Sequence, residues 1–197
     1  RQVFRYRFQE NVSLKDIEAE IVLALLNVES LHGPARTRLE ATHYLEDVCA
    51  RLEVNHLSYW LVHSIDGTPD QVTWITTYDP AYMSFYMENY TPLGDSSFET
   101  AIAENQVLDW AEDDSTKSDL LPTALKYGIT KYGISVPLRD GDFGDVLFSV
   151  NVKSTDDKWA LQREDIVAKF RPFAVYFHGR AKPLIQSRKF AEINFAA

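Results

Sequence analysis

Two segments of this chain, 56–77 and 134–152, set runs of β-branched and aromatic residues on either side of an Asp-Gly pair. In the first, His56-Leu57-Ser58-Tyr59-Trp60-Leu61-Val62-His63 leads to Asp66-Gly67 and returns as Val72-Thr73-Trp74-Ile75-Thr76-Thr77. In the second, Ile134-Ser135-Val136-Pro137-Leu138 and Val146-Leu147-Phe148-Ser149-Val150-Asn151-Val152 flank Asp140-Gly141-Asp142. Asp-Gly tolerates the positive φ of tight hairpins, and alternating β-branched residues suit a pleated, half-buried surface. Both segments predict antiparallel pairs, so the rest of the chain must cover the faces of the sheet they make.

The remainder reads at helical period. Ser13-Leu14-Lys15-Asp16 has the form of a helix cap, and Ile17, Ile21, Ala24, Leu25 and Val28 follow at helical spacing. Gly33-Pro34 breaks the chain, and a second amphipathic helix runs from about Ala35 to Leu52 with Leu39, Tyr44, Leu45, Val48 and Leu52 on its apolar side. Asp79-Pro80 caps a helix carrying Tyr82, Phe85, Tyr86 and Tyr90, which Pro92-Leu93-Gly94 stops. Asp95-Ser96-Ser97 opens another short helix, and the segment ending at Trp110 leads back toward the sheet. The polar stretch from Ala111 to Ser118 predicts a mobile surface loop, and a helix from about Asp119 to Tyr127 ends at a Gly128 cap. A long helix spans roughly Gln162 to Gln186, with a kink expected at Pro172. This order predicts an α+β domain, an α-β-α sandwich with a central antiparallel sheet in the manner of PAS and GAF sensors. A pocket between sheet and helices is the natural binding site in such a layering.

Charge and composition exclude several classes. The net charge of −9 repels phosphate backbones, so these residues are not expected to bind DNA by themselves. No apolar run approaches the roughly 20 residues of a membrane span. The basic, aromatic start RQVFRYRFQENV lacks the apolar core of a signal peptide, and the missing initiator Met suggests a trimmed start. The single cysteine, Cys49, cannot pair internally and lies on the apolar side of LEDVCARLEV, as an inert buried thiol would; a cytoplasmic protein fits.

Catalytic signals are missing. His32, His43, His56, His63 and His178 show no metal-ligand spacing, and His56 and His63 point to opposite faces of one strand. There is no GxSxG, P-loop or GxGxxG motif, and Asp113-Asp114 and Asp156-Asp157 read as solvated loop carboxylates. The chain is therefore expected to be no enzyme and to hold neither metal nor cofactor.

The informative stretch is TYDPAYMSFYMENYTPLGD, from Thr77 to Asp95. Tyr78, Tyr82 and Tyr86 recur every four residues, forming a slowly drifting stripe on a helix. Such a stripe is either plain core or a set of buried hydroxyls that want partners. Three hydroxyls near a carboxylate suit a ligand with two carbonyls and one amide N–H.

Here the chain resembles the autoinducer-binding domain of LuxR-type quorum-sensing regulators, marked by YPxxWxxxY, nine residues on to an Asp-Pro, and fifteen more to a Trp. The matching residues are Tyr78, Tyr82, Tyr86, Asp95 and Trp110, at those spacings, with Asp79-Pro80 between the first two and Tyr132-Gly133-Ile134-Ser135-Val136-Pro137 further on. The resemblance covers nearly the whole chain. It implies an N-acyl-homoserine lactone ligand, with Asp95 accepting the amide N–H and Tyr86 donating to the acyl carbonyl. It further implies that Trp110 packs on the lactone ring, Tyr78 borders the first acyl carbons and Gly133 leaves room for backbone packing. Ser58, Trp60, Ser97, Phe98, Leu121, Leu125 and Ser135 are further lining candidates.

Three positions depart from the family pattern. Tyr82 stands where a tryptophan usually donates to the lactone carbonyl, Asp95-Ser96 replaces Asp-Pro, and Leu147 stands where Ser or Thr often lies near the ligand amide. The last change implies one polar contact fewer. The resemblance also implies a domain over residues 1–186, with 187–197 beginning the linker to a helix-turn-helix domain that is missing here. Binding would then control folding, homodimerisation through the last helix, and DNA binding by the full-length protein. The rival readings are a PAS- or GAF-like sensor of a non-lactone molecule, a truncated regulator that antagonises by mixed dimerisation, and an enzyme acting on acyl-lactones.

Overall fold

Both hairpins form, and β1 joins them into one sheet. The computed structural model describes residues 37–65, 68–90, 96–112, 120–141 and 143–186. In chain order these hold α1 (Arg38–Leu52), β1 (His56–Ile65), β2 (Thr68–Thr76), α2 (Pro80–Asn89), α3 (Ser96–Glu104) and β3 (Leu108–Asp109). They continue with α4 (Leu120–Lys126), β4 (Gly133–Asp140), β5 (Gly144–Asn151) and α5 (Asp156–Ile185). The sheet runs β2-β1-β5-β4-β3 with every neighbouring pair antiparallel, which is the expected α+β class.

Strand alternation sorts side chains onto two faces. On one face Leu57, Tyr59 and Leu61 of β1, Ile75 of β2, Ile134 and Val136 of β4, and Val146, Phe148 and Val150 of β5 share a core. Helices α1 and α5 close it, through Leu45 and Val48 and through Phe170, Phe173, Ala174 and Phe177. The Phe173 ring meets Phe148, Phe170 and Phe177 at 5.3, 5.9 and 6.0 Å, within the range where edge and tilted ring pairs attract.

Local chemistry sets several helix ends. The Thr37 hydroxyl accepts the Glu40 N–H at 3.2 Å to cap α1. Asp79 accepts the Ala81 N–H at 2.7 Å, and Pro80, with no N–H of its own to satisfy, starts α2. Gly128, at φ +78, follows α4 as expected.

The last helix begins at Asp156 rather than near Gln162, so Asp156 and Asp157 are first-turn residues and not loop carboxylates. Acidic groups are favoured there by the exposed N–H groups of the helix start, and Asp156 also binds Lys131 at 2.7 Å and the Tyr132 hydroxyl at 3.1 Å. The helix continues as one element through Pro172 and Pro183. Cys49 is buried at 8% exposure, and burial pushes its thiol up to about 11, which keeps it inert. No helix among the described residues is long and apolar enough to cross a membrane. The expected first helix, Asp66-Gly67, Pro92–Gly94 and 187–197 lie outside the described residues.

Candidate ligand site

The second face of the sheet is built from different chemistry. Trp60 and Val62 of β1 and Leu147 of β5 pack with Tyr82, Met83 and Tyr86 of α2, Phe98 and Ala101 of α3, Ala124 of α4, and Ile129. Trp74, Tyr78, Tyr90, Trp110, Leu120 and Tyr127 pack at its margin. The tyrosine stripe is real: Tyr78 to Tyr82 and Tyr82 to Tyr86 are 5.5 and 6.2 Å apart, ring centre to ring centre. Tyr86 leans on Trp60 at 5.6 Å, and Tyr127 reaches Tyr82 at 5.6 Å from beyond α4.

Beneath these rings the register aligns four hydroxyl residues across four strands. Thr76 lies opposite Ser58, Ser58 opposite Ser149, and Ser149 opposite Ser135. All four are buried, Ser58 fully and Ser135 to 2% exposure. Ser135 and Ser149 share a hydrogen bond of 2.8 Å. The Trp60 indole N–H donates to Ser58 Oγ at 3.2 Å, and the Ser58 hydroxyl donates to the Tyr78 hydroxyl oxygen at 3.5 Å. The Trp110 indole N–H donates to Ser135 Oγ at 2.8 Å. Polar atoms buried this deeply need such partners, and hydroxyls can rotate to exchange them for a ligand's.

Gly133 seats Trp110. A Cβ at position 133 would lie 2.6 Å from Trp110 Cε3 and 2.7 Å from the Val150 carbonyl oxygen, so only glycine lets the indole rest on the strand. His56 packs edge-on against Tyr78 at 5.4 Å at the border of the site, and burial lowers its pKa.

The structure thus brings together Tyr78, Tyr82, Tyr86, Ser58, Trp60, Phe98, Trp110, Ser135, Leu147 and Gly133. Leu121 is half-buried outside this cluster, and Leu125 is 54% exposed on α4. Asp95 lies outside the described residues; Ser97 belongs to α3, but its side chain lies outside them too. Two residues on from Leu147 and on the same face, Ser149 places a hydroxyl on this strand. Ser149, Thr76 and Tyr127 were not anticipated; the alternation of β5 itself, starting from Leu147, carries the signal for Ser149.

Comparison with known proteins places the domain in a family and a fold. The profile of the family described as autoinducer binding domain matches residues 37–181, most of the chain. The chain belongs to that family. As an autoinducer-binding domain, it shares its fold with the N-acylhomoserine lactone dependent LuxR family transcription factor CepR2 from Burkholderia cenocepacia. That pair is 17% identical with a TM-score of 0.62, covering 83% of this chain and 99% of that one. SdiA in complex with octanoyl-rac-glycerol is 19% identical with a TM-score of 0.56, covering 89% and 69%. The A. aeolicus nlh2 GAF domain, at 12% identity and TM-score 0.52 over 82% and 93%, places the autoinducer-binding domain beside GAF domains in fold. The sequence has no match among curated proteins. Among the described residues of this family member, no group of three His, Cys, Asp or Glu side chains is placed to hold a metal ion.

Proposed function

We propose that this domain senses an N-acyl-homoserine lactone and forms the ligand-sensing part of a LuxR-type quorum-sensing transcription regulator. The observation that carries the reading is the buried hydroxyl row from Thr76 to Ser135 beneath the tyrosine stripe. Such a ligand presents a lactone carbonyl, an amide carbonyl, an amide N–H and an apolar chain, and the domain offers a candidate partner for each. Tyr82 donates to the lactone carbonyl and Tyr86 to the amide carbonyl, with Ser149 and Ser135 within the same polar row. Asp95 accepts the amide N–H in a charge-assisted bond, the kind most costly to lose in a dry site. Trp110 packs on the lactone ring, Tyr78 borders the first acyl carbons, and Phe98 and Leu147 meet the chain. CepR2, with the same fold, is described as N-acylhomoserine lactone dependent.

Burying the acyl chain contributes about 0.8 kcal/mol per CH₂, and a ligand bound only by the folded form stabilises it. Binding thereby controls how much folded domain exists, and through α5 whether it dimerises. DNA is met by a helix-turn-helix part beyond residues 1–186, since the acidic sensing domain repels phosphate. The protein works in the cytoplasm, by binding and not by chemistry, and without a metal or cofactor. A second reading is a non-lactone acyl ligand such as a monoacylglycerol. Tyr82 in place of tryptophan favours it, as does the octanoyl-rac-glycerol held by SdiA.

The test is to purify the domain from cells fed a mixture of N-acyl-homoserine lactones and identify the extracted small molecules by mass spectrometry. One lactone at one per chain is expected. An acylglycerol in its place transfers the site to the second reading, and folded protein carrying neither overturns both.

A further inference from the structure

The shortest strand of the sheet has a side chain committed to each face. β3 is two residues long, and it pairs Leu108 with Ser135 and Asp109 with Ile134. The Trp110 N–H continues the ladder to the Gly133 carbonyl at 2.9 Å. Paired residues share a face, so Asp109 looks with Ile134 toward α5, while Trp110 looks with Gly133 toward the ligand site.

The Asp109 carboxylate is 15% exposed and densely bound. Both of its oxygens accept the Trp159 indole N–H, at 2.9 and 3.1 Å, and one takes Arg163 Nη1 at 3.3 Å. The other accepts the Ala111 N–H at 2.9 Å, which fixes the chain just past Trp110. Arg163 also binds Glu112. Trp159 and Arg163 belong to the first two turns of α5, and Trp159 is 4% exposed in the α1/α5 core. So short an edge strand has little ladder of its own. Its place is set by these side chains on one face and by the Trp110–Ser135 bond on the other.

We infer that Asp109, gripped by Trp159 and Arg163, is the positioning residue for Trp110, and that β3 mechanically links the ligand site to the start of α5. The inference rests on the lactone reading only for what Trp110 touches; the link is a property of the fold. Because coupling between two sites is reciprocal, whatever seats Trp110 also seats the first turns of α5, and loosening α5 there loosens the site. The helix proposed above to carry dimerisation is thus joined to the ligand wall through one carboxylate.

Asp109→Asn keeps the size of the side chain but turns one acceptor into a donor facing two donors. Trp159→Phe removes the matching donor and keeps the ring. Two readouts are needed: amide hydrogen exchange of the ligand-free protein, and affinity for N-octanoyl-L-homoserine lactone. Both variants are expected to speed exchange at residues 107–112 and 159–163 while β1 and β2 keep their protection. Each should weaken lactone binding by about tenfold, the equivalent of roughly one hydrogen bond, and the double variant no more than either alone. In a Trp110→Phe background, Asp109→Asn should have no further effect on affinity, which a general loss of stability would not reproduce. Unchanged exchange at 107–112, or full additivity with Trp110→Phe, overturns the link. If the unmutated domain ignores the lactone while the exchange result holds, the ligand assignment fails and the link stands. If it binds and Asp109→Asn binds equally well, the link fails and the ligand assignment stands.

Discussion

The two faces of the sheet use the same strands and opposite chemistry. Toward α1 and α5 the alternating residues are Leu57, Leu61, Ile134, Val136, Val146, Phe148 and Val150, all but hydrocarbon. Toward α2, α3 and α4 they are Ser58, Trp60, Gly133, Ser135, Leu147 and Ser149. Polar groups do occur on the first face, but at its end. The Tyr59 hydroxyl meets His178 Nδ1 at 2.9 Å, and His178 Nε2 meets Asp140 at 3.2 Å near the β4–β5 turn. Burial, reinforced by the Asp140 charge, holds the Tyr59 phenol well above its usual range. On the second face the hydroxyls run through the middle of the sheet. A core meant only for stability gains nothing from hydroxyls at its centre, since burying each one costs more than burying hydrocarbon unless it is bonded. The first face is built as plain core, and the second carries the bonded hydroxyls that the proposed ligand would draw on.

The largest effect that distinguishes the faces belongs to Phe173→Ala. Phe173 is fully buried among three phenyl rings, and its truncation is expected to destabilise the domain by about 3–5 kcal/mol. Urea unfolding with and without lactone checks it: the loss should be the same in both, because this face never meets ligand. A loss that shrinks when lactone saturates the protein would break the division of labour.

Ser58→Ala should show a smaller effect of a different kind. It strips the Trp60 indole N–H of its acceptor in a fully buried position, costing about 1–3 kcal/mol in the ligand-free protein. It also removes the donor to Tyr78, so lactone affinity should fall as well, whereas Phe173→Ala should weaken binding only through the folded fraction. Isothermal titration on the fully folded population separates the two. Equal affinity for Ser58→Ala and the unmutated domain would make the hydroxyl row ordinary core.

Much of this contrast is legible in the sequence. The hairpins announced themselves through Asp-Gly turns and period-two alternation, and the tyrosine stripe through its spacing of four. What stayed hidden depends on non-local register. That Ser58 lies opposite Ser149 follows from β1 pairing β5, two strands separated by more than half the described chain, and no local pattern encodes it. Ser149 is thus placed by register, on the same face of β5 as Leu147. The start of α5 was hidden for a related reason. Asp156-Asp157-Lys158 and Gln162-Arg163-Glu164 are polar, and the residue that anchors this part, Trp159, finds its partner in Asp109 on a distant strand.

Leu125 marks the smallest effect and the sharpest limit of periodicity. Leu121 and Leu125, lining candidates by the family resemblance, sit four apart on α4, a spacing that pairs them on one side of a helix. Yet the buried residue of this short helix is Ala124, and the side chain that packs against the aromatic cluster from its first turn is Leu120. A helix turned by one residue exchanges which neighbours face inward, and seven residues hold too few apolar positions to declare the rotation in advance. The structure selects the Leu120–Ala124 side and leaves Leu125 54% exposed. Leu125→Ser is accordingly expected to change stability by no more than about 0.5 kcal/mol and to leave lactone affinity unaltered, as substitutions away from packed or bonded groups usually do. Thermal melts with a parallel titration check both. A drop in affinity at unchanged stability would mean that α4 rolls when ligand enters, carrying Leu125 onto the acyl chain. The boundary between the two kinds of packing would then be set by the ligand as much as by the fold.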